Sequence, residues 1–315
     1  MSLSAGDARL IADGRRWTEA FYARQTQAFW DHLSPRFQKS FVDKKGVDDF
    51  RDEMEAQLGS ETQILSEDVE RSGDGLWYVR VAKFSRRAEP VRVRVAVEDD
   101  TILGFGIRPE GKPAAAPTTK LDYQTRAPLR LPFDGEWRVA WGGRTVEKNQ
   151  HVVARDQRFA YDFVVEENGV THRGDGTKND DYYCYGRPIL APAEGRVAVV
   201  VDGIPENVPG RMDEKSLAGN YVMLDHGGDE VSLFAHLIPG SIPVRVGERV
   251  KPGQLLGRCG NSGNASEPHL HYQLQDSARF GDADGLPAQF RDYVADGKDI
   301  ARGEPERGQA VHVNH

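Results

Sequence analysis

At 315 residues the chain is long enough for two ordinary domains with their own cores. Its hydrophobic content of 38% and charged content of 29% suit a soluble globular protein. A formal net charge of −8 argues against nucleic acid as the main partner, because phosphate binding requires a basic surface. No run approaches the roughly 20 apolar residues of a membrane span, so we expect no integral membrane segment.

The opening sequence, MSLSAGDARL, has neither the basic nor the apolar region of a signal peptide. Residues 1–3 resemble a cloning remnant, so we expect that a natural signal peptide has been removed. Two cysteines, Cys184 and Cys259, are too few for a disulfide scaffold or a cysteine zinc site. They leave two alternatives open, a single disulfide bridge in an oxidising compartment or two free thiols.

The first hundred residues predict helices followed by strands. Apolar residues recur at steps of three and four over 7–38, and a second helical stripe ends at Gly59. The period then changes to two in three predicted strands, at 76–84, 91–99 and 101–107. Helices followed by an antiparallel meander predict an α+β accessory domain over 1–110. It resembles the cone-shaped, nuclear-transport-factor-like or cystatin-like domains.

Three arginines of these strands, Arg80, Arg92 and Arg94, are expected on the solvated outer face of a half-buried sheet. The segment 111–120, GKPAAAPTTK, is rich in Pro, Ala and Thr and lacks an apolar period. We therefore predict a linker there, followed by a second domain over 121–315.

The second domain is predicted to be mainly antiparallel β. From residue 187 onwards Gly and Pro interrupt short apolar strands about every ten residues, which is typical of a β barrel or sandwich. The tail after about 276 is rich in loops, with a possible short helix near 288–295.

Two strands of this domain carry polar residues that are suited to metal chemistry. In PHLHYQL at 268–274, His269 and His271 share one face, because side chains alternate along a strand. Two such imidazoles can bind zinc together, or divide metal binding from proton transfer. Asp162 lies among small or apolar neighbours in the strand 159–165. A buried carboxylate needs a partner, either a metal or a backbone donor or arginine at a strand edge.

Three further histidines have different expectations. His236 ends the predicted strand FAHL and is a candidate for the same site. His226 precedes two glycines and is predicted to be a turn residue. His172 precedes a polar loop at 174–183, where it is either solvated or a ligand in a rearranged site.

The segments APAEGRV, GNYVMLDHGG, FAHL, VKPGQLLGRCGNSG and PHLHYQL follow one another in an order that resembles the lysostaphin-type zinc metallopeptidases. The resemblance covers about 149–275. It implies a compact antiparallel β domain with a groove, one zinc ion, and cleavage of peptides in bacterial peptidoglycan. That substrate in turn implies a periplasmic or secreted protein.

Transferred onto matching positions, the resemblance makes His271 a zinc ligand and Asp162 the carboxylate ligand. His236 and His269 become the catalytic histidines. The resemblance implies two imidazole ligands, His271 and one further histidine, together with the carboxylate. These three ligands leave a fourth zinc position open, as in catalytic sites.

The remaining zinc ligand departs from the usual family pattern, which has a histidine four residues before the aspartate. Arg158 stands there in this chain. The expected substitute is His151, eleven residues before the aspartate, and His172 or no protein ligand are the alternatives. His151 requires a turn or bulge near 155–157 to reach the metal.

We therefore expect a zinc-dependent endopeptidase that hydrolyses peptide bonds of peptidoglycan with metal-activated water. The alternative is a catalytically degenerate member that regulates a cell-wall amidase or acts as a binding module. A biotinyl or lipoyl carrier is disfavoured because Lys251 lies in the wrong turn. A serine hydrolase is disfavoured because the chain has no G-x-S-x-G elbow. The sequence leaves the cleaved bond and the oligomeric state open.

Overall fold

The computed structural model describes residues 5–41, 43–72, 75–111 and 114–314. The chain divides into two compact units, Met1–Lys112 and Pro113–His315. The division falls within the segment 111–120. The role of this segment as a flexible linker stays a prediction, as do the domain limits at 110 and 121.

The first unit consists of helices followed by an antiparallel sheet. The helices are α1 (Ala5–Tyr22), α2 (Thr26–Asp31), α3 (Pro35–Gln38) and α4 (Lys44–Leu58). The strands are β1 (Glu61–Ser72), β2 (Gly75–Phe84), β3 (Val91–Glu98) and β4 (Thr101–Pro109). They pair in the order β1-β2-β3-β4, each antiparallel to the next.

The predicted helix over 7–38 is divided into three helices, α1 to α3. Arg24 has φ +58°, a left-handed conformation that cannot continue a right-handed helix. Ser34 is extended, with ψ 149°, and its side chain accepts a hydrogen bond from the Phe37 backbone N–H. The proline that follows Ser34 disfavours a helical conformation at the residue before it. The apolar period in the sequence therefore continues across two helix ends and does not predict either of them.

Strand β1 was not predicted from the sequence, and Arg80 was expected on the wrong face of the sheet. The strand β1 is mostly polar, and its apolar Ile64 and Leu65 are both 43% exposed, so it shows no clear alternation. Its Glu61 and Glu67 instead accept hydrogen bonds from Arg80 of β2. Arg80 is only 2% exposed, so the expectation that it lies on a solvated face was wrong. A buried guanidinium requires such carboxylate partners.

The core of the first unit forms where the helices cover the sheet. Trp17 and Phe21 of α1 and Phe29 of α2 are buried against Tyr78 and Ile102 of the strands. Burying an aromatic or aliphatic side chain of this size contributes about 1.5–3 kcal/mol. The burial of these side chains therefore stabilises the packing of the helices on the sheet.

The second unit is mainly β structure. Its strands are β5 (Trp137–Trp141), β6 (Tyr161–Val164), β7 (Pro188–Leu190), β8 (Gly195–Val201), β9 (Asn220–Asp225), β10 (Val231–Leu237), β11 (Arg249–Val250), β12 (Leu255–Arg258), β13 (Leu270–Gln275), β14 (Gly285–Leu286), β15 (Phe290–Ala295), β16 (Lys298–Gly303) and β17 (Ala310–Val313). Among the described residues, eleven strands join in the order β11-β8-β9-β10-β13-β6-β5-β17-β15-β16, with β14 also paired to β13. Strands β12 and β7 form a separate pair.

The short helix expected near 288–295 was wrong, because this segment forms β15. Phe290, Tyr293 and Val294 are buried there, and β15 pairs with β16 on one side and β17 on the other. Aromatic and β-branched residues favour such a pleated, half-buried position. Their spacing of three and one also fits a helix, so the pairing partners decide the structure.

The expected fold class is confirmed: an α+β unit is followed by a mainly antiparallel β unit. None of the helices in the described part of the chain combines the length and the apolar character that a membrane crossing requires.

Candidate active site

Two neighbouring strands in the middle of the large sheet bring His271 and Asp162 together. In the antiparallel register of β13 and β6, these residues are directly opposite each other. Their strand neighbours Leu270 and Phe163 are also opposite each other, and both are fully buried in the core. Because side chains alternate along a strand, burying Leu270 turns His271 to the other face of the sheet.

His151 reaches the same place from a short 3-10 turn at Gln150–Val153. The turn is anchored by Asn149, whose side-chain oxygen accepts a hydrogen bond from the His151 backbone N–H at 3.0 Å. The Asn149 amide nitrogen donates to the carbonyl oxygens of Ala160 and Gly143, at 2.9 and 3.1 Å. The fully buried Asn149 therefore fixes the turn to the start of β6, beside Asp162.

These three side chains form a group that could hold a metal ion. Nε2 of His151 lies 2.8 Å from Oδ2 of Asp162, and Nδ1 of His271 lies 2.9 Å from Oδ1. One potential ligand atom from each residue lies within 4.8 Å of the others. Two imidazole nitrogens and one carboxylate oxygen are a donor set that zinc accepts, with a further position left for water or substrate.

The electrostatics of Asp162 also fit a bound cation. The side chain is 4% exposed, and the ion-pair partners that the described residues give it are histidines. Burial acts to raise the pKa of Asp162, but the charges of His151 and His269 and the hydrogen bond from His151 outweigh it, and the pKa lies well below its usual value. A buried carboxylate that stays ionised needs positive charge beside it.

His236 faces this group because of an irregular backbone. The pairing of β10 with β9 shifts register between Phe234 and Leu237, and His236 adopts φ +65°. This left-handed conformation is costly for a residue with a side chain. The His236 N–H donates to the Ala218 carbonyl at 3.0 Å, which holds the residue in place.

His236 and His269 form a second pair of imidazoles. Their ring centroids lie 4.7 Å apart, and the His236 ring is 5.8 Å from that of His271. Nδ1 of His236 lies 2.8 Å from the carbonyl oxygen of Ser262, and Nδ1 of His269 lies 2.8 Å from that of Glu267. A carbonyl can only accept, so each Nδ1 carries a proton, and in the neutral form of either ring Nε2 is unprotonated.

The pKa of His236 lies well below its usual value, chiefly because burial disfavours the charged ring and also because His269 and His271 lie nearby. His236 is therefore neutral at neutral pH. An imidazole in this state can accept a proton but brings no charge of its own.

Three other polar residues lie outside the group. His172 packs against Tyr182 at a centroid distance of 5.1 Å. His226 lies 2.8 Å from both the Glu194 carbonyl oxygen and the Ser232 hydroxyl, so it is bound within the fold. Arg158, at the family's usual histidine position, donates to the carbonyl oxygens of Ala116 and Arg144.

The two cysteines are free, buried thiols. The Cys184 thiol donates to the carbonyl oxygen of Pro268 at 3.0 Å. Pro268 immediately precedes His269, so the Cys184 thiol holds the backbone just before His269 and His271.

Sequence reasoning missed the roles of Asn149 and Ser262. Asn149 was visible as the first residue of N-x-H, a spacing that lets an asparagine side chain cap the N–H two residues later. Ser262 left no comparable signal, because its contact with His236 joins residues 26 positions apart.

The site lies in an open cleft of about 630 Å³. The charged residues that line it, apart from the histidines, are Asp162, Glu214 and Glu267. Among the described lining residues, none is lysine or arginine. Apolar side chains that are 38–52% exposed, including Val153, Met212 and Phe280, also line the cleft.

Residues 180–283 match the model of Peptidase family M23. Over these residues the chain is similar to that family. The matched residues include His236, His269 and His271, whereas His151 and Asp162 precede them. The resemblance to the lysostaphin-type family is therefore confirmed, and the roles of the individual residues stay predictions.

Several named proteins are similar to parts of the chain. A peptidoglycan DD-endopeptidase of Vibrio cholerae, ShyA, is 29% identical over 153 residues, which cover 49% of this chain and 28% of that protein. The cell division protein DipM of Caulobacter vibrioides is 30% identical over 115 residues, 36% of this chain and 16% of that one. The chain thus spans less than a third of either relative.

A solved structure described as a putative peptidase M23 from Pseudomonas aeruginosa is 20% identical. The match covers 69% of this chain and 85% of that one, with a TM-score of 0.30.

Proposed function

We propose that this protein is a zinc-dependent endopeptidase that hydrolyses peptide bonds of bacterial peptidoglycan. The observation that carries the proposal is the convergence of His151, Asp162 and His271 in one cleft with a second pair of imidazoles, His236 and His269. The match of residues 180–283 to the model of Peptidase family M23 supports the same chemistry.

The metal would be held by His151 Nε2, Asp162 and His271 Nδ1, whose atoms already face one another. Bound zinc supplies a water of lowered pKa and a Lewis acid that polarises the scissile carbonyl. The sheet register and the Asn149 anchor hold these three side chains in place before any ligand arrives, so little reorganisation accompanies binding.

His236 is proposed to accept the proton of the attacking water on Nε2. Its Nδ1–H is held by the Ser262 carbonyl, and burial keeps the ring neutral, so the lone pair of Nε2 is available. His269 is proposed to stabilise the developing oxyanion or to protonate the leaving amine. Its Nε2 lies 3.7 Å from Oδ1 of Asp162, so a positive charge on this ring would have a carboxylate beside it.

The charge of the cleft supports cleavage within a peptide rather than at its carboxyl end. An enzyme that removes a terminal residue must bind the free carboxylate, usually with arginine or lysine. The described lining residues supply Asp162, Glu214 and Glu267 but neither of those cations. The described lining residues therefore offer a terminal carboxylate no cationic side chain, whereas neutral backbone or an amino group requires none.

Crosslinked peptidoglycan peptides are the proposed substrate, because the similar Vibrio cholerae protein is a peptidoglycan DD-endopeptidase. We accordingly propose that the protein acts in the periplasm or after secretion, where this polymer lies.

The test measures bound metal and turnover on the same samples. Wild-type protein should contain about one zinc ion per chain by elemental analysis and should cleave purified crosslinked muropeptides. His271→Ala should lose both the metal and the turnover. His172→Ala is the matched control, because it removes a histidine of the same unit that lies outside the group, and it should keep both.

Two outcomes would contradict the proposal in different ways. Wild-type protein that binds no zinc after reconstitution would exclude a zinc enzyme. Protein that binds zinc but does not cleave crosslinked muropeptides would favour the alternative, a degenerate family member that regulates a cell-wall amidase or acts as a binding module.

A further inference from the structure

A row of hydrogen-bonded side chains runs along one face of β13 from His271. Because side chains alternate along a strand, His271, Gln273 and Gln275 share this face. All three are buried, with exposed fractions of 5%, 2% and 0%. The row continues from Gln275 to the backbone carbonyl of Ser277.

The direction of every hydrogen bond in this row is fixed by two backbone carbonyls. The Ser277 carbonyl can only accept, so the Gln275 amide nitrogen must donate to it, and the Gln275 side-chain oxygen faces Gln273. The Gln273 amide nitrogen donates to that oxygen and to the Asp156 carbonyl, the latter at 3.3 Å. Reversing either amide would set an oxygen against a backbone carbonyl, so neither amide can turn without cost.

The row therefore determines which nitrogen of His271 carries a proton. The Gln273 side-chain oxygen lies 3.0 Å from Nε2 of His271, and an amide oxygen can only accept, so Nε2 carries hydrogen. In the neutral ring Nδ1 is then unprotonated, and it lies 2.9 Å from the Asp162 carboxylate. Two lone pairs at this distance repel each other unless a cation lies between them.

We propose that Gln273, oriented by Gln275, is a positioning residue that holds His271 in the Nε2–H tautomer and aims Nδ1 at the metal position. The inference rests on the proposed zinc site and adds the residues that prepare it. In the described part of the chain the side-chain hydrogen bonds of the two glutamines reach His271, Asp156 and Ser277 but neither Asp162 nor His151, so the pair acts through His271. Partners of this kind fix the ring orientation of metal-binding histidines.

The first test compares zinc affinity in three variants by competition with a chromophoric chelator. Gln273→Met removes the acceptor and should weaken zinc binding by about 10–100-fold. Gln273→Glu presents an oxygen to Nε2–H whether it is ionised or protonated, so its affinity should lie closer to that of the wild type. Gln289→Met is the matched control, because Gln289 is a buried glutamine that bonds to Thr125 and Tyr123 instead, and it should not change the affinity.

The second test reads the tautomer directly from long-range nitrogen–proton NMR spectra of the histidine rings, with His271 assigned by its loss in His271→Ala. With zinc bound, the wild type should show His271 protonated at Nε2 and not at Nδ1. Gln273→Glu should retain this pattern. A purely structural role would lower the melting temperature of Gln273→Met and Gln289→Met alike and leave the tautomer unchanged.

Each result bears on one proposal. A wild-type protein without zinc would defeat the proposed function itself. Zinc binding that is equal in wild type and folded Gln273→Met would overturn the positioning role. If Gln273→Met does not fold, the NMR spectrum of Gln273→Glu tests the positioning role. Loss of the proton from Nε2 of His271 in that variant would overturn the role. An Nδ1–H tautomer of His271 in the wild type would overturn it as well.

Discussion

His271 Nδ1 and Asp162 Oδ1 lie 2.9 Å apart on directly opposed positions of two antiparallel strands. Their separation is set by the backbone ladder rather than by a flexible loop. Binding groups on paired strands are held more precisely than groups on loops.

Zinc should stabilise the folded protein through Asp162. Zinc at 100 times its dissociation constant should raise the free energy of unfolding by about 2.7 kcal/mol, provided that it binds the folded state alone. Thermal unfolding with added zinc and with a chelator measures the difference. Asp162→Asn should abolish the zinc-dependent shift, and a shift that survives in this variant would contradict the assigned ligand.

Because the backbone at His236 is left-handed, the His236→Gly variant should be more stable than the His236→Ala variant. With φ +65°, alanine keeps the steric cost and glycine relieves it, a difference of about 1–2 kcal/mol. Urea unfolding of His236→Gly and His236→Ala measures it. Both variants should lose peptide cleavage, because both remove the imidazole. Equal stability of the two variants would show that the backbone at residue 236 is not strained.

Asn149→Ala should weaken zinc binding without removing a ligand. The change leaves the carbonyls of Gly143 and Ala160 and the N–H of His151 without their partner, and each unsatisfied buried group costs about 1–3 kcal/mol. Chelator competition and thermal unfolding should both detect the loss.

Asn207→Ala is the matched control for this anchor. Asn207 also donates to two backbone carbonyls, those of Gly263 and Ala265, but it does not contact His151. It should lower stability and leave zinc affinity near the wild-type value. Equal losses of zinc affinity in the two variants would count against a specific anchor.

The first unit should lose stability in acid through Glu67. Hydrogen bonds from Arg15, opposed by burial and aided by Tyr78, lower the pKa of Glu67 to about 2 from 4.5. A carboxylate whose pKa is lower in the folded state stabilises it above pH 4.5, and this contribution disappears as the pH falls towards 2. The protection factors of peptides from residues 61–84 in hydrogen exchange, corrected for the intrinsic exchange rate at each pH, should therefore fall in acid.

Glu67→Gln provides the comparison for this pH dependence. The amide keeps a similar shape but does not ionise, so the variant should be less protected at neutral pH and should change less between neutral pH and pH 3. An acid response as large as that of the wild type would exclude Glu67 as its source.

Sequence patterns located most of the candidate site because it lies on strands. The period of two placed His269 and His271 on one face, and burial by neighbours singled out Asp162. The pairing partner of a strand leaves no such trace, since His271 and Asp162 are 109 residues apart. The contacts that orient these side chains, from Asn149 and Gln273, depend on that pairing and so were not predicted.

The fold was predicted where apolar periods are strong and missed where polar contacts decide. The strand β1 is stabilised by pairing with β2 and by Glu67, which contacts Arg15 and Arg80, and it has little apolar alternation. Similarly, Arg24 and Ser34 end helices by local backbone conformation, within an apolar period that continues past them.

Because β6 pairs with β13, the candidate site can assemble only late in synthesis. During translation Asp162 emerges from the ribosome long before His271. The residues of strands β7 to β12 are synthesised between them. Until β13 emerges and pairs, His151 and Asp162 have no third partner. An incomplete chain therefore cannot form the site, and hydrolytic capacity would arise abruptly, late in synthesis, rather than growing with chain length.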